Sequence, residues 1–205
     1  MKYWILVPML SLAMPFVACD SDDDASGGSD ETTTEATLAE DLQFLREEEK
    51  LARDVYITLY SEWGVRVFDN ISDSEQTHTD QVRDLLLARD LTDPVVDDTV
   101  GLFVNETLGL LYLDLVAQGE LSEIDALIVG ATIEYLDIQD IAEMAARTED
   151  PEVLGLYEGL MCGSRNHLRA FYSQLEMRDT DYSPQFISQE DFDAIVSSDR
   201  ENCGS

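Results

Sequence analysis

The stretch Ser74-Glu75-Gln76-Thr77-His78 sets a carboxylate and an imidazole three residues apart inside an apolar stripe. Ile71, Glu75, His78, Val82 and Leu85 recur at spacings of four, three, four and three, the rhythm with which a helix turns one face to a core. Both groups therefore point inward. A bare carboxylate in a dry helical interior costs several kcal/mol unless it is paired, protonated or bound to a metal, and residues three apart on a helix can share one partner. Whatever this chain folds into must supply that partner.

Three more segments repeat the pattern. Leu38, Leu42, Leu45, Glu49, Ala52, Tyr56 and Leu59 predict a helix from about Leu38 to Ser61, ended by Trp63-Gly64, with Glu49 inside its stripe and Glu47 and Glu48 on the solvated side. The helix of Glu75 and His78 is expected to open at an Asn70 cap, with Phe68 as a hydrophobic staple, and to run to about Arg89. A third begins at Ser122 and reaches about Arg147, with Glu134 on its inner face and Asp137 one turn on. A fourth starts at Asp150-Pro151 and carries His167 inward among Val153, Leu156, Leu160 and Ala170. Between the second and third lies a shorter apolar helix, Asn105 to Gln118, within a crossover; Ser188 caps one last short helix around Asp191 to Val196. Strand-like alternation, a phosphate-cradling glycine loop and Gly-x-Ser-x-Gly are all missing from the sequence. The fold class expected is all-α.

Met1 to Ala18 has one early lysine and an apolar run, the pattern of a signal peptide rather than a membrane span. Phe16-Val17-Ala18-Cys19 resembles the lipobox of bacterial lipoproteins, which makes Cys19 the expected lipidation site and the protein exported, held at the membrane on its periplasmic or cell-surface side. Residues 19–37 are too polar to bury anything and read as a disordered acidic tether, leaving 38–180 for the bundle and 181–205 for a tail. Cys162 and Cys203 remain, free either to form a disulfide after export or to stay unlinked. The charge of −32, from 44 acidic and 12 basic residues, leaves no basic surface for phosphates and so no nucleic-acid partner; it is the kind of surface that saline conditions favour.

Glu49, Glu75 with His78, Glu134 with Asp137, and His167 thus gather the chain's 2 histidines and several acids at core positions of separate helices. Carboxylates and neutral imidazoles around two divalent cations would neutralise one another in the interior. Each residue also has a plainer reading, as a hydrogen-bonded core pair or the edge of a stripe. Tyr56 reads as core, and Arg53, Arg165 and Arg169 as salt-bridged or flanking the site.

Glu49-Lys50-Leu51-Ala52-Arg53-Asp54-Val55-Tyr56 resembles the first-helix motif of rubrerythrin-type ferritin-like proteins, and Glu75-Gln76-Thr77-His78 their second-helix Glu-x-x-His. With Gly163-Ser164-Arg165-Asn166-His167-Leu168-Arg169-Ala170-Phe171, these segments are most similar to the ferritin-like domain of unknown function 2202. The resemblance implies an antiparallel four-helix bundle holding two metal ions, iron before manganese or zinc, with Glu49, Glu75, His78, Glu134, Asp137 and His167 as ligands. Tyr56, Arg53 and Arg165 would flank them. It further implies a peroxidase or ferroxidase acting on peroxide or dioxygen, the alternative being a non-catalytic metal-binding or interaction module. Ser164 stands where rubrerythrins have a ligand Glu, unless Asp137 replaces it, and the paired Cys-x-x-Cys of their rubredoxin-like site is absent.

Overall fold

Six helices and no strand make up the regular structure of the described residues, 29–184 and 188–203 of a computed structural model. The expected signal peptide, Cys19 and the expected tether up to residue 28 lie outside the described residues. The helices are α1 (Ser29–Trp63), α2 (Arg66–Ala88), α3 (Glu106–Gly119), α4 (Glu123–Ala145), α5 (Pro151–Glu176) and α6 (Gln189–Val196). None is long and apolar enough to cross a membrane.

Capping side chains set most of the starts. Asn105, Ser122, Asp150 and Ser188 each accept backbone N–H groups from the first turn of the helix they precede. The exception is α2, which begins at Arg66 and not after Asn70, with Val65 at the cap position and no side-chain cap. Gly64, at φ +66°, reverses the chain directly after α1, and Phe68 becomes a fully buried helical residue instead of a staple outside the helix. Burial of that ring supplies what the cap would have. At its other end α1 starts at Ser29, nine residues before the Leu38 expected from the apolar stripe. Adding residues to an existing helix needs no packing, only hydrogen bonds along the axis.

The main helices form two antiparallel pairs, α1 on α2 and α4 on α5, which meet through α1–α4 and α2–α5 contacts. Ion pairs at one end fix the directions. Arg147, just past α4, bonds Asp41 near the start of α1 (2.8 Å), and Arg89, just past α2, reaches Asp150 at the start of α5 (2.7 Å). The interior is divided into two apolar halves. One contains Val55, Phe68, Leu127 and Phe171; the other contains Leu45, Val82, Ile141 and Leu160. On every one of the four helices the chain crosses from one half to the other at the residues singled out above: Glu49, Glu75 with His78, Glu134 with Asp137, and Ser164 with His167.

Glu47 and Glu48, expected to be solvated, are covered from two sides: residues 89–122 carry α3 across the outside of α1 over Glu47, while α4 brings Asp137 and Asp140 to Glu48. Glu47 is buried, its carboxylate accepting the backbone N–H groups of Val104 (2.6 Å) and Asn105 (2.9 Å). Glu48 is partly buried, its Oε2 out of contact with water and with any hydrogen-bond donor. Lys50 is wholly buried beneath the same segment, paired with Asp54 (2.5 Å), donating to Thr99 O (3.0 Å) and facing the Phe103 ring at 4.5 Å. Cys162 and Cys203 form a disulfide, with Cα atoms 5.5 Å apart, that ties the tail to α5. A closure spanning 41 positions restricts the unfolded chain by about 4 kcal/mol.

Candidate metal centre

Two carboxylate–imidazole groups occupy the polar layer between the apolar halves: Glu49, Glu75 and His78, and Glu75, Glu134 and His167. Within each group the nearest ligand-type atoms lie within 4.8 Å of one another, and all five residues are either buried or nearly so. Glu75 belongs to both. Its Oε2 lies 2.8 Å from His78 Nδ1 and its Oε1 2.7 Å from His167 Nδ1. Glu49 Oε2 is 3.3 Å from His78 Nδ1, and Glu134 Oε2 is 3.3 Å from His167 Nδ1. The two imidazoles stack, their centroids 5.5 Å apart.

Helix geometry accounts for this convergence. Glu75 and His78, three apart on α2, project from one face and straddle the groove toward α1 and α5. Position 163 on α5 is glycine because the His78 ring fills its side-chain space: a Cβ there would fall 2.5 Å from His78 Cε1. His167 is oriented from its far side, where Nε2 meets Ser74 Oγ at 3.0 Å. Tyr56 donates its hydroxyl to Glu134 Oε1 (2.7 Å), fixing that carboxylate from α1.

The distances are those of hydrogen bonds, but the angles are not. His78 Nδ1, His167 Nδ1, Glu49 Oε1 and Glu75 Oε1 are all buried without a hydrogen-bond partner. Nitrogens and oxygens this close can hold a metal ion, and the oxygen and imidazole set suits a divalent first-row metal. Burial acts to raise the Glu75 carboxyl, but the charges of His167 and His78 outweigh it and hold it below the usual carboxylate range. Burial wins at Glu49 and Glu134, which rise to about 7 against the opposing pull of His78 and His167 respectively. The imidazoles go the other way: burial would lower them, but Glu75 and Glu134 push His167 up to about 10, and Glu75 and Glu49 raise His78.

Asp137 is buried but stands outside both groups; its carboxylate accepts the hydroxyl of Ser164, the residue in place of the expected Glu. Arg53 turns away to Asp54 (2.8 Å) and Asp98 (2.7 Å), reaching only Gln76 (2.6 Å) beside the site, and so anchors the crossover. Arg165 and Arg169 both hold Glu201 of the tail (2.6 and 2.7 Å). Both arginines' outward course follows from their positions: on α5 they flank the inward His167 by two residues on either side. Sequence reasoning missed Ser74 and the space at Gly163, though both stand inside quoted motifs. Glu48 was missed too, and burial followed by the charges of Asp137 and Asp140 raises its carboxyl well above the usual range.

Residues 39–199 match the family described as "Uncharacterized protein domain (DUF2202)". The chain is 49% identical over 162 residues to "Uncharacterized protein MJ0754" of Methanocaldococcus jannaschii, an alignment covering 79% of this chain and 88% of that protein. It is also similar to the crystal structure of hypothetical protein MJ0754 from Methanococcus jannaschii DSM 2661, with a TM-score of 0.79 and 46% identity over 88% of this chain and 100% of that one. An all-helical bundle whose family motifs converge in one buried layer, matched over most of its length, is a member of the DUF2202 family.

Proposed function

We propose that this protein is a ferritin-like carboxylate bundle that holds two divalent metal ions, iron foremost, and reduces peroxide or dioxygen as a peroxidase or ferroxidase. The observation that carries the reading is the sharing of Glu75: each of its oxygens faces one imidazole, and each imidazole has a second carboxylate of its own. In this assignment Glu49 and His78 would hold one ion and Glu134 and His167 the other, with Glu75 available to both. A ferrous pair, when bound, would supply two electrons to the oxidant and be left ferric, so peroxidase turnover would need an external electron donor to restore it. The chain's part is to fix ligand directions through Tyr56 and Ser74, and to exclude water with the apolar halves above and below.

Metal analysis after loading tests the assignment. Wild-type protein is expected to retain two ions per chain, Glu49→Ala or Glu134→Ala about one, and Glu75→Ala none. A Glu75→Ala protein that kept two ions would end the proposal.

The second reading is metal storage or sensing without turnover. It is favoured by Ser164, which takes up Asp137 and leaves the centre with three carboxylates where a rubrerythrin-type site has more. Peroxide consumption by the loaded protein separates the two: removal of peroxide supports the enzyme, and loaded metal with no removal supports storage. The expected leader and a lipidated Cys19 would put either activity outside the cytoplasm on a lipid anchor, a reading that mass spectrometry of the mature N-terminus tests by the presence or absence of acyl chains.

A further inference from the structure

Beside the centre, α1 and α4 carry buried acids that the ligand assignment leaves unused. Glu134, Asp137, Asp140 and Glu143 stand at every third position of α4. Three residues advance a helix by about 4.5 Å and turn the next side chain back by about 60° around its axis, so the row winds outward as it climbs. Exposure follows that course: Glu134 and Asp137 are buried, at 1% and 6%, Asp140 is partly buried and Glu143 is exposed. The inner end of the row, Glu134, belongs to the centre itself.

Glu48 of α1 faces the middle of the row. Burial and then the charges of Asp137 and Asp140 push its carboxyl up, and burial and then the charge of Glu49 push up Asp137. The four acids are thus neighbours in the order Asp140, Glu48, Asp137, Glu49. Donors for them are scarce. Asp137 accepts the Ser164 hydroxyl, but Glu48 Oε2 is sealed from water with no hydrogen-bond partner. Glu49, 1% exposed, turns Oε2 to His78 and leaves its Oε1 without a partner as well. Arg147, the base at the outer end, is held by Asp41 (2.8 Å). Carboxylates so placed are costly in a dry interior, and a cation is the partner that offsets the cost.

We infer that Glu143, Asp140, Glu48 and Asp137 form the route by which divalent cations, ferrous iron among them, pass from the surface to the centre. The route rests on the two-ion reading above and adds to it the path its ions take. A net charge of −32 concentrates cations at the outer end. Each carboxylate then takes the ion from the one before, and the unpartnered Oε1 of Glu49 receives it at the centre. The Ser164 hydroxyl holds Asp137 as the last step before the ligands. The α2–α5 side of the centre presents the edges of His78 and His167, whose side chains are 10% and 11% exposed, with Ser74 and Gly163 and no such row of acids.

Stopped-flow loading of the metal-free full chain with cobalt(II), followed by visible absorption, tests the route, with equilibrium titration and metal analysis of the same samples. Glu48→Gln with Asp140→Asn should still bind two ions at unchanged affinity but load at least tenfold more slowly than wild type. Glu106→Gln with Asp114→Asn, which removes two exposed acids from α3, should load at the wild-type rate. Should the Glu48 variant fail to fold, Asp140→Asn alone must slow loading at least threefold. Loading at the wild-type rate without these acids overturns the inference and gives entry to the imidazole side. Equal slowing by the α3 variant overturns it as well, in favour of general attraction to an acidic surface. A wild-type chain that retains no cobalt would remove the two-ion reading and the route with it, whereas two ions loaded at unaltered rates removes the route alone.

Discussion

At the scale of single residues the centre is held by steric and hydrogen-bond relations as much as by its ligands. Gly163 is the sharpest instance, because only a missing Cβ lets the His78 ring lie beside α5. Gly163→Ala is expected to displace the imidazole and cut metal affinity about 10- to 100-fold, the size of effect found when a group that orients a ligand is lost. Titration of the variant with a divalent metal checks this, and an unchanged affinity would show that the ring can relax. Proton release is a second residue-scale prediction. Before loading, His167 titrates near 10 and His78 well above its ordinary value, so both are protonated at pH 7, and Glu49 and Glu134, near 7, are partly so. Coordination requires all four in the deprotonated form. Loading at pH 7 should therefore release protons, and affinity should fall as the pH is lowered. A weakly buffered solution that keeps its pH on metal addition would contradict this.

At the scale of elements, the crossover is fastened to α1 by buried charge. Lys50 has no exposure and compensates Asp54, which also binds Arg53 and the Gly101 N–H (2.9 Å). Removing one member of a buried pair leaves the other in a medium that solvates it poorly. Lys50→Met should cost about 3–5 kcal/mol in denaturant unfolding, whereas Arg83→Met, at an ion pair on the exposed face of α2, should cost less than about 1 kcal/mol. Equal losses would mean that the clamp is no stronger than a surface pair. Charges on α1 that a helical wheel assigns to water are buried because the wheel treats a helix as having one partner, and α1 has α2 and α4 on one side and α3 on another.

For the whole molecule, 44 acids against 12 bases make self-repulsion the main long-range force. Salt screens that repulsion within about 10 Å at 0.1 M, so the melting temperature is expected to rise with sodium chloride concentration. A melting temperature indifferent to salt would show that the surface acids are spaced widely enough not to matter. The acids in the polar layer are shielded from such screening by the apolar halves on either side.

The sequence by itself determined the helices and which of their residues face inward. Glu49, Glu75, His78, Glu134 and His167 could be read from spacing because an intruding polar group in an apolar stripe is a local signal. The starts at Asn105, Ser122, Asp150 and Ser188 were legible too, because a capping side chain or a proline at the first position is also a local signal. Only the tertiary structure decided that Glu75 is shared, that Asp137 turns to Ser164, that the two cysteines meet, and that α1 is covered on its outer face. Each of those depends on the distance between segments far apart in the chain. Periodicity along one helix fixes an angle about its own axis and says nothing about how far away a neighbour stands or how it is rotated.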